Sequence, residues 1–204
     1  MSGDNDSSDL DFEVLHAIRL RGVVGAEPLA AMTGESPEAI AESVERLTAE
    51  GSVFLREGRR VSGFALTEEG RVTHAERLAA WAAGQPIDQL ARVYDAFLDH
   101  NSGLKTLCSR WQQVGTDDAA RWQAIGDLED LHALADPVFV RAGELVERFG
   151  RYGGRLGEAL QLVKDGDERF FTSPLVDSYH TVWFEAHEDF LLALGRDRAA
   201  EGSF

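Results

Sequence analysis

Cysteine is almost missing from this chain: Cys108 is the only one among 204 residues. An intramolecular disulfide is therefore excluded, and a cytoplasmic setting is the simple expectation. Long apolar runs are missing too. None approaches the ~20 residues that span a bilayer, so no membrane partner is expected. The opening MSGDNDSSD has neither a basic start nor an apolar stretch. It does not read as a signal peptide, and residues 1–9 are expected to be a disordered leader. Base is scarce relative to acid: 20 Lys and Arg stand against 36 Asp and Glu, a net charge of −16. Strong nonspecific attraction to nucleic acid is thereby disfavoured, because phosphate neutralisation needs cations. The signatures of catalysis are absent as well: no P-loop, no GxGxxG after a strand, no GxSxG and no HExxH. No enzymatic activity, cofactor or metal is expected.

What remains is a chain able to build a core, with 44% hydrophobic residues. Charge is unevenly spread. Residues 11–82 hold 12 acids and 8 bases, whereas residues 83–204 hold 21 acids and 12 bases. The first 82 residues also carry the clearest pattern. Phe12, Leu15 and Ile18 fall at helical spacing before Gly22. Pro28 and Leu29 mark a short second helix, ThrGlyGluSer (33–36) a turn. Ser36 is placed to cap, and Pro37 to begin, a third helix over Pro37–Glu50 that buries Ile40, Val44 and Leu47. After Gly51 the period becomes extended. Ser52–Arg56 and Ser62–Leu66 are expected strands around GluGlyArgArg (57–60), and Thr67 opens an exit helix over Glu68–Ala82.

The run from Gly51 to Gly70, GluGlySerValPheLeu and then GlyArgArgValSerGlyPheAlaLeuThrGluGluGly with Glu50 leading, resembles the wing of winged helix-turn-helix regulators, the MarR-like group among them. The resemblance implies a winged helix at 10–82, with the third helix and the wing as the DNA-reading parts. These proteins place helices before the winged helix; here almost nothing precedes the first helix. Base edges and phosphates are contacted mainly by Arg, Lys, Asn, Gln and hydroxyls. The candidate DNA contacts are thus Ser36, Ser43 and Arg46 on the third helix, with Arg56, Arg59 and Arg60 on the wing. Glu38, Glu42 and Glu45 share the expected outward face of that helix and oppose docking on phosphate by Coulomb repulsion.

Beyond AlaGlyGlnPro (83–86) the pattern is helical throughout, giving a mainly α chain with a helical-bundle domain at 86–196 and a tail at 197–204. Breaks are expected at Asn101–Gly103, where one helix ends and another resumes, and at Asp136-Pro137. A helix over Asp118–Leu134 should bury Trp122, Ile125, Leu128 and Leu131. ArgPhePheThrSerPro (169–174) reads as a loop, and Leu175–Leu194 as the last helix. LeuLysThrLeuCysSerArgTrpGln (104–112), SerProLeuValAspSerTyrHis (173–180) and ThrValTrpPheGluAlaHisGlu (181–188) are similar to helical segments of actinobacterial regulators. Such segments also occur joined to pyruvate phosphate dikinase-type enzymes.

Within this domain Trp111, Tyr179, His180, Trp183 and His187 form either a packed core face or the lining of a small-molecule pocket. His180 and His187 do not share a metal, since seven residues of helix separate them by ~10 Å. Cys108, between Leu104 and Trp111 in helical spacing, reads as a buried thiol. The basic stretch 148–155 either holds an anion or pairs with Glu144, Glu147 and Glu158, and Glu185, Glu188 and Asp189 read as a solvated face. Two functions follow as expectations. One is a transcription regulator that binds DNA, with the helical domain serving homodimerisation or effector sensing. The other is a winged helix that docks on protein and regulates a metabolic enzyme of the phosphoenolpyruvate/pyruvate dikinase type.

Overall fold

The computed structural model describes residues 3–58 and 62–196, with side chains from residue 7 onward. The protein is mainly helical with one small antiparallel sheet. It divides into two compact units, Met1–Gly84 and Gln85–Phe204.

In the first unit, α1 (Gly3–Arg21) ends at Gly22, whose φ of +78° is the left-handed stop that glycine tolerates best. Residues 3–9, expected as a leader, belong to this helix. Next, α2 (Ala26–Thr33) stops in the same way at Gly34, which donates to the Ala30 carbonyl. Ser36 then caps α3 (Pro37–Ala49) by accepting from the Ala39 N–H, with Pro37 in the first turn. Strands β1 (Val53–Arg56) and β2 (Gly63–Leu66) pair with Val53 opposite Leu66 and Arg56 opposite Gly63. Val24 extends the ladder by a bridge to Phe64. A Cβ on Gly63 would stand 2.5 Å from the Val24 carbonyl oxygen, so this bridge requires glycine. Thr67 caps α4 (Glu68–Ala82), and its hydroxyl donates to the Gly51 carbonyl at 2.7 Å. The core gathers Leu15, Ile18, Leu29, Ile40 and Leu47 where α1, α2 and α3 meet. His16 and His74 stack inside it, Nδ1 to Nε2 at 2.9 Å.

The second unit packs α5 (Ile87–Trp111), α6 (Asp118–Leu145), α7 (Glu147–Lys164) and α9 (Tyr179–Ala193) as a bundle, with the one-turn α8 (Arg169–Thr172) against α7 and α9. Several expected breaks are not there. At 101–103, α5 continues because Asn101 is buried and accepts from Trp183 Nε1 at 3.1 Å, while Gly103 lets Leu131 approach. Pro137 lies inside α6. A proline there removes one helical hydrogen bond and crowds the preceding turn, at a cost of ~3 kcal/mol or more. Burial of Ala135, Val138 and Phe139 on either side offsets it. The actual break is Val146, a single extended residue (φ −145°, ψ 109°) that joins α6 to α7. Here the backbones nearly touch: a Cβ on Gly143 would lie 2.7 Å from Gly150 Cα. The expected loop at 169–174 contains α8, and α9 begins at Tyr179, capped by Ser178. Trp122, expected inside, is 64% exposed.

Candidate functional site

The outward side of α3 is acidic. Glu38, Glu42 and Glu45 are exposed along it, with Glu35 before it and Glu50 at its end. Its serine and its arginine turn the other way. Ser43 is fully buried and donates to Asp11 Oδ1 of α1 at 2.6 Å. Arg46 grips the same carboxylate, Nη2 to Oδ1 at 2.8 Å and Nε to Oδ2 at 3.2 Å. Asp11's hydrogen bond raises the Arg46 pKa, so the guanidinium stays charged and held. Ser43, expected near bases, is therefore corrected to an internal tie between α3 and α1. Ser36 is exposed, with its hydroxyl engaged as the cap. Arg56 is exposed at the end of β1 and makes no ion pair among the described residues. Arg59 and Arg60 lie outside the described residues.

Beside the acidic face is an apolar cleft of about 540 Å³. Its floor is the buried pair Ile40 and Val44; Ala41 and Glu45 edge it from α3, and Leu55 and Phe64 wall it from the hairpin. Alternation along β1 puts Leu55 on the same side as the buried Val53. Leu55 is nonetheless 55% exposed, and Phe54, on the other side, 43%. Sequence reasoning missed this cleft. Its residues come from α2, α3 and both strands, and only the register Leu55–Phe64 brings them together.

The aromatic face of α9 is core. Tyr179, Trp183 and His187 are all at most 3% exposed. Trp183 stacks on Phe97 at 4.7 Å, and His187 Nε2 meets the Tyr94 hydroxyl at 2.9 Å. The Tyr179 hydroxyl reaches His132 Nδ1 at 3.3 Å, and burial raises the Tyr179 pKa. His132 shifts down through desolvation, against the opposing pull of Asp136. Trp111 stacks instead on Phe171 at 4.3 Å, and His180 faces outward. The pocket expected from Trp111, Tyr179, His180, Trp183 and His187 is thus corrected: three rings are packed inside and the other two point elsewhere.

The expected solvated acids of α9 are corrected as well. Asp189 is 1% exposed and takes a bidentate pair from Arg148, with Nη2 at 2.9 Å and Nε at 3.1 Å from its oxygens. The Tyr152 hydroxyl donates to the same carboxylate at 3.0 Å. Burial first, then Asp189, pushes the Tyr152 pKa well up, so it remains a donor. Arg155 bridges Glu185 at 2.8 Å and Asp177 at 3.0 Å. Arg148 and Arg155 of the basic stretch 148–155 thus reach across the bundle, to Asp189 and Glu185 of α9 and to Asp177 just before it. These buried ion pairs tie α7 to α9, so removing one partner strands a charge in the bundle.

Among the described residues no cluster of His, Cys, Asp and Glu is arranged to hold a metal ion, and no helix is long and apolar enough to cross a membrane. Comparison with protein-family models, curated protein sequences and solved structures finds no match.

Proposed function

We propose that the first unit is a winged helix used to dock a protein segment, and that the second is the helical domain through which the protein exerts or receives regulation. The observation that carries this reading is the outward face of α3. It presents Glu38, Glu42 and Glu45, its one arginine is held by Asp11, and an apolar cleft runs beside it. A helix so charged meets a phosphate backbone with repulsion. The same surface suits a basic amphipathic helix. Apolar side chains of that helix enter between Val44 and Leu55, and its lysines or arginines face Glu45 and its neighbours. A metabolic enzyme of the dikinase type, implied by the sequence resemblance, is one partner that fits this role.

A second reading rests on Arg56. Exposed and unpaired by any described acid, it continues into Arg59 and Arg60 in sequence, and a wing with three arginines supports DNA binding through the hairpin rather than through α3.

The test is a pair of titrations at low salt, where charge effects are strongest. The first uses mixed-sequence duplex DNA. The second compares a helical Leu/Lys peptide with a peptide of equal charge lacking leucine. Docking predicts that the Leu/Lys peptide binds the more tightly, that Leu55→Asp and Glu45→Lys each weaken it at least about tenfold, a loss of roughly 1.4 kcal/mol, and that DNA does not bind. DNA binding that weakens with salt and disappears in Arg59→Ala/Arg60→Ala would overturn docking in favour of the regulator.

A further inference from the structure

We propose that the cleft between α5 and α6 is a binding site for a small organic anion, a carboxylate carried on an apolar body. The cleft has a volume of about 360 Å³, at the small end of the range for ligand sites. Val93 and Ala96 of α5 and Pro137 and Val138 of α6 give it an apolar base. Arg92 and Gln89 edge it from α5, and Arg141 edges it from α6. Two guanidinium forks on opposite walls over hydrocarbon match a ligand with one anionic end and one greasy end.

Charge makes the arrangement informative. In a chain with 36 acids and 20 bases, the arginines of this unit are drawn into pairs: Arg110 with Asp127, Arg121 with Glu168, Arg148 with Asp189, Arg155 with Glu185. Arg92 is not, among the described residues, although Asp88 and Asp95 stand one turn away on its own helix. Among the described residues Arg141 is held only by Glu144 on its own helix, at 2.6 Å, with both side chains more than half exposed. An exposed pair of that kind contributes little and opens readily toward a better partner. Pro137 adds to the fit in a second way. Its ring carbons extend the apolar base beside Val138. The cleft is separate from the docking surface, and this inference does not rest on it.

The test is calorimetric titration of the full chain at low salt with three probes of one shape: octanoate, octan-1-ol and octylammonium. Octanoate should bind at one site and weaken as salt rises, with octanol weaker and octylammonium not bound. Arg92→Ala and Arg141→Ala should each lower octanoate affinity about tenfold or more, and Arg92→Lys should restore part of it. Arg92 is exposed, so its variants are expected to keep the helical circular dichroism of the parent. No octanoate binding at about 10 mM, equal binding of octanol or octylammonium, or unchanged affinity in a folded Arg92→Ala would each overturn the proposal.

Discussion

The Asp11 carboxylate takes three hydrogen bonds from two side chains of α3, one from Ser43 and two from Arg46. Removing it leaves a buried hydroxyl without its acceptor and releases a cation to solvent. Asp11→Ala should cost about 1–3 kcal/mol, read as a lower urea midpoint at unchanged slope. A midpoint equal to the parent's would mean the tie contributes nothing. Asp11 was invisible in the sequence because it lies 32 positions from Ser43, and only the crossing of α1 and α3 joins them. Cys108 behaves as its spacing suggests: it is buried, and burial alone lifts its thiol pKa from 9.0 to about 11. The protonated thiol is the neutral form, so between these two values the unfolded chain loses a proton that the folded chain keeps. Stability therefore falls as pH rises through that window, by roughly 1.4 kcal/mol at pH 10. Comparing the parent with Cys108→Ala at pH 7 and pH 10 isolates the effect. The parent should lose more than the variant, and parallel losses would refute a buried thiol.

Element boundaries divide by what sets them. Caps and glycines are local, and the sequence shows them: Ser36 begins α3, Thr67 begins α4, and glycine follows α1 and α2. The bundle reads differently, because tertiary packing overrides local signals there. Pro137 and the glycines of α7 have the composition of breaks, yet helix runs through them, and the turn falls at Val146, a residue with no turn signature. The glycines of this hairpin are not equivalent. Gly143→Ala drives a Cβ to 2.7 Å from the Gly150 backbone, where nothing flexible can give way. It should destabilise by about 1–3 kcal/mol. Gly154→Ala meets nothing within 4 Å and should stabilise by about 0.5–1 kcal/mol. Thermal melts of the two variants should move in opposite directions; a shared direction would contradict the close approach of α6 and α7.

For the molecule as a whole, mainly helical architecture with one small sheet was legible, since it depends on period and punctuation. The candidate sites were legible only in part. Charge counts warned that α3 is a poor partner for phosphate, but they could not say that its arginine was occupied. The α5–α6 cleft needed two helix registers at once, and no local pattern shows which turns of α5 and α6 face each other. The joint at Val146 also bears on the order in which the second unit forms. Two long helices joined by one residue close almost no loop when they meet, so their pairing forfeits little chain entropy compared with α5 on α9, whose partners are far apart in sequence. The α6–α7 hairpin is then a low-cost contact for the second unit to form early. The cost of Gly143→Ala should appear mainly as slower refolding, with the unfolding limb of the chevron nearly unmoved.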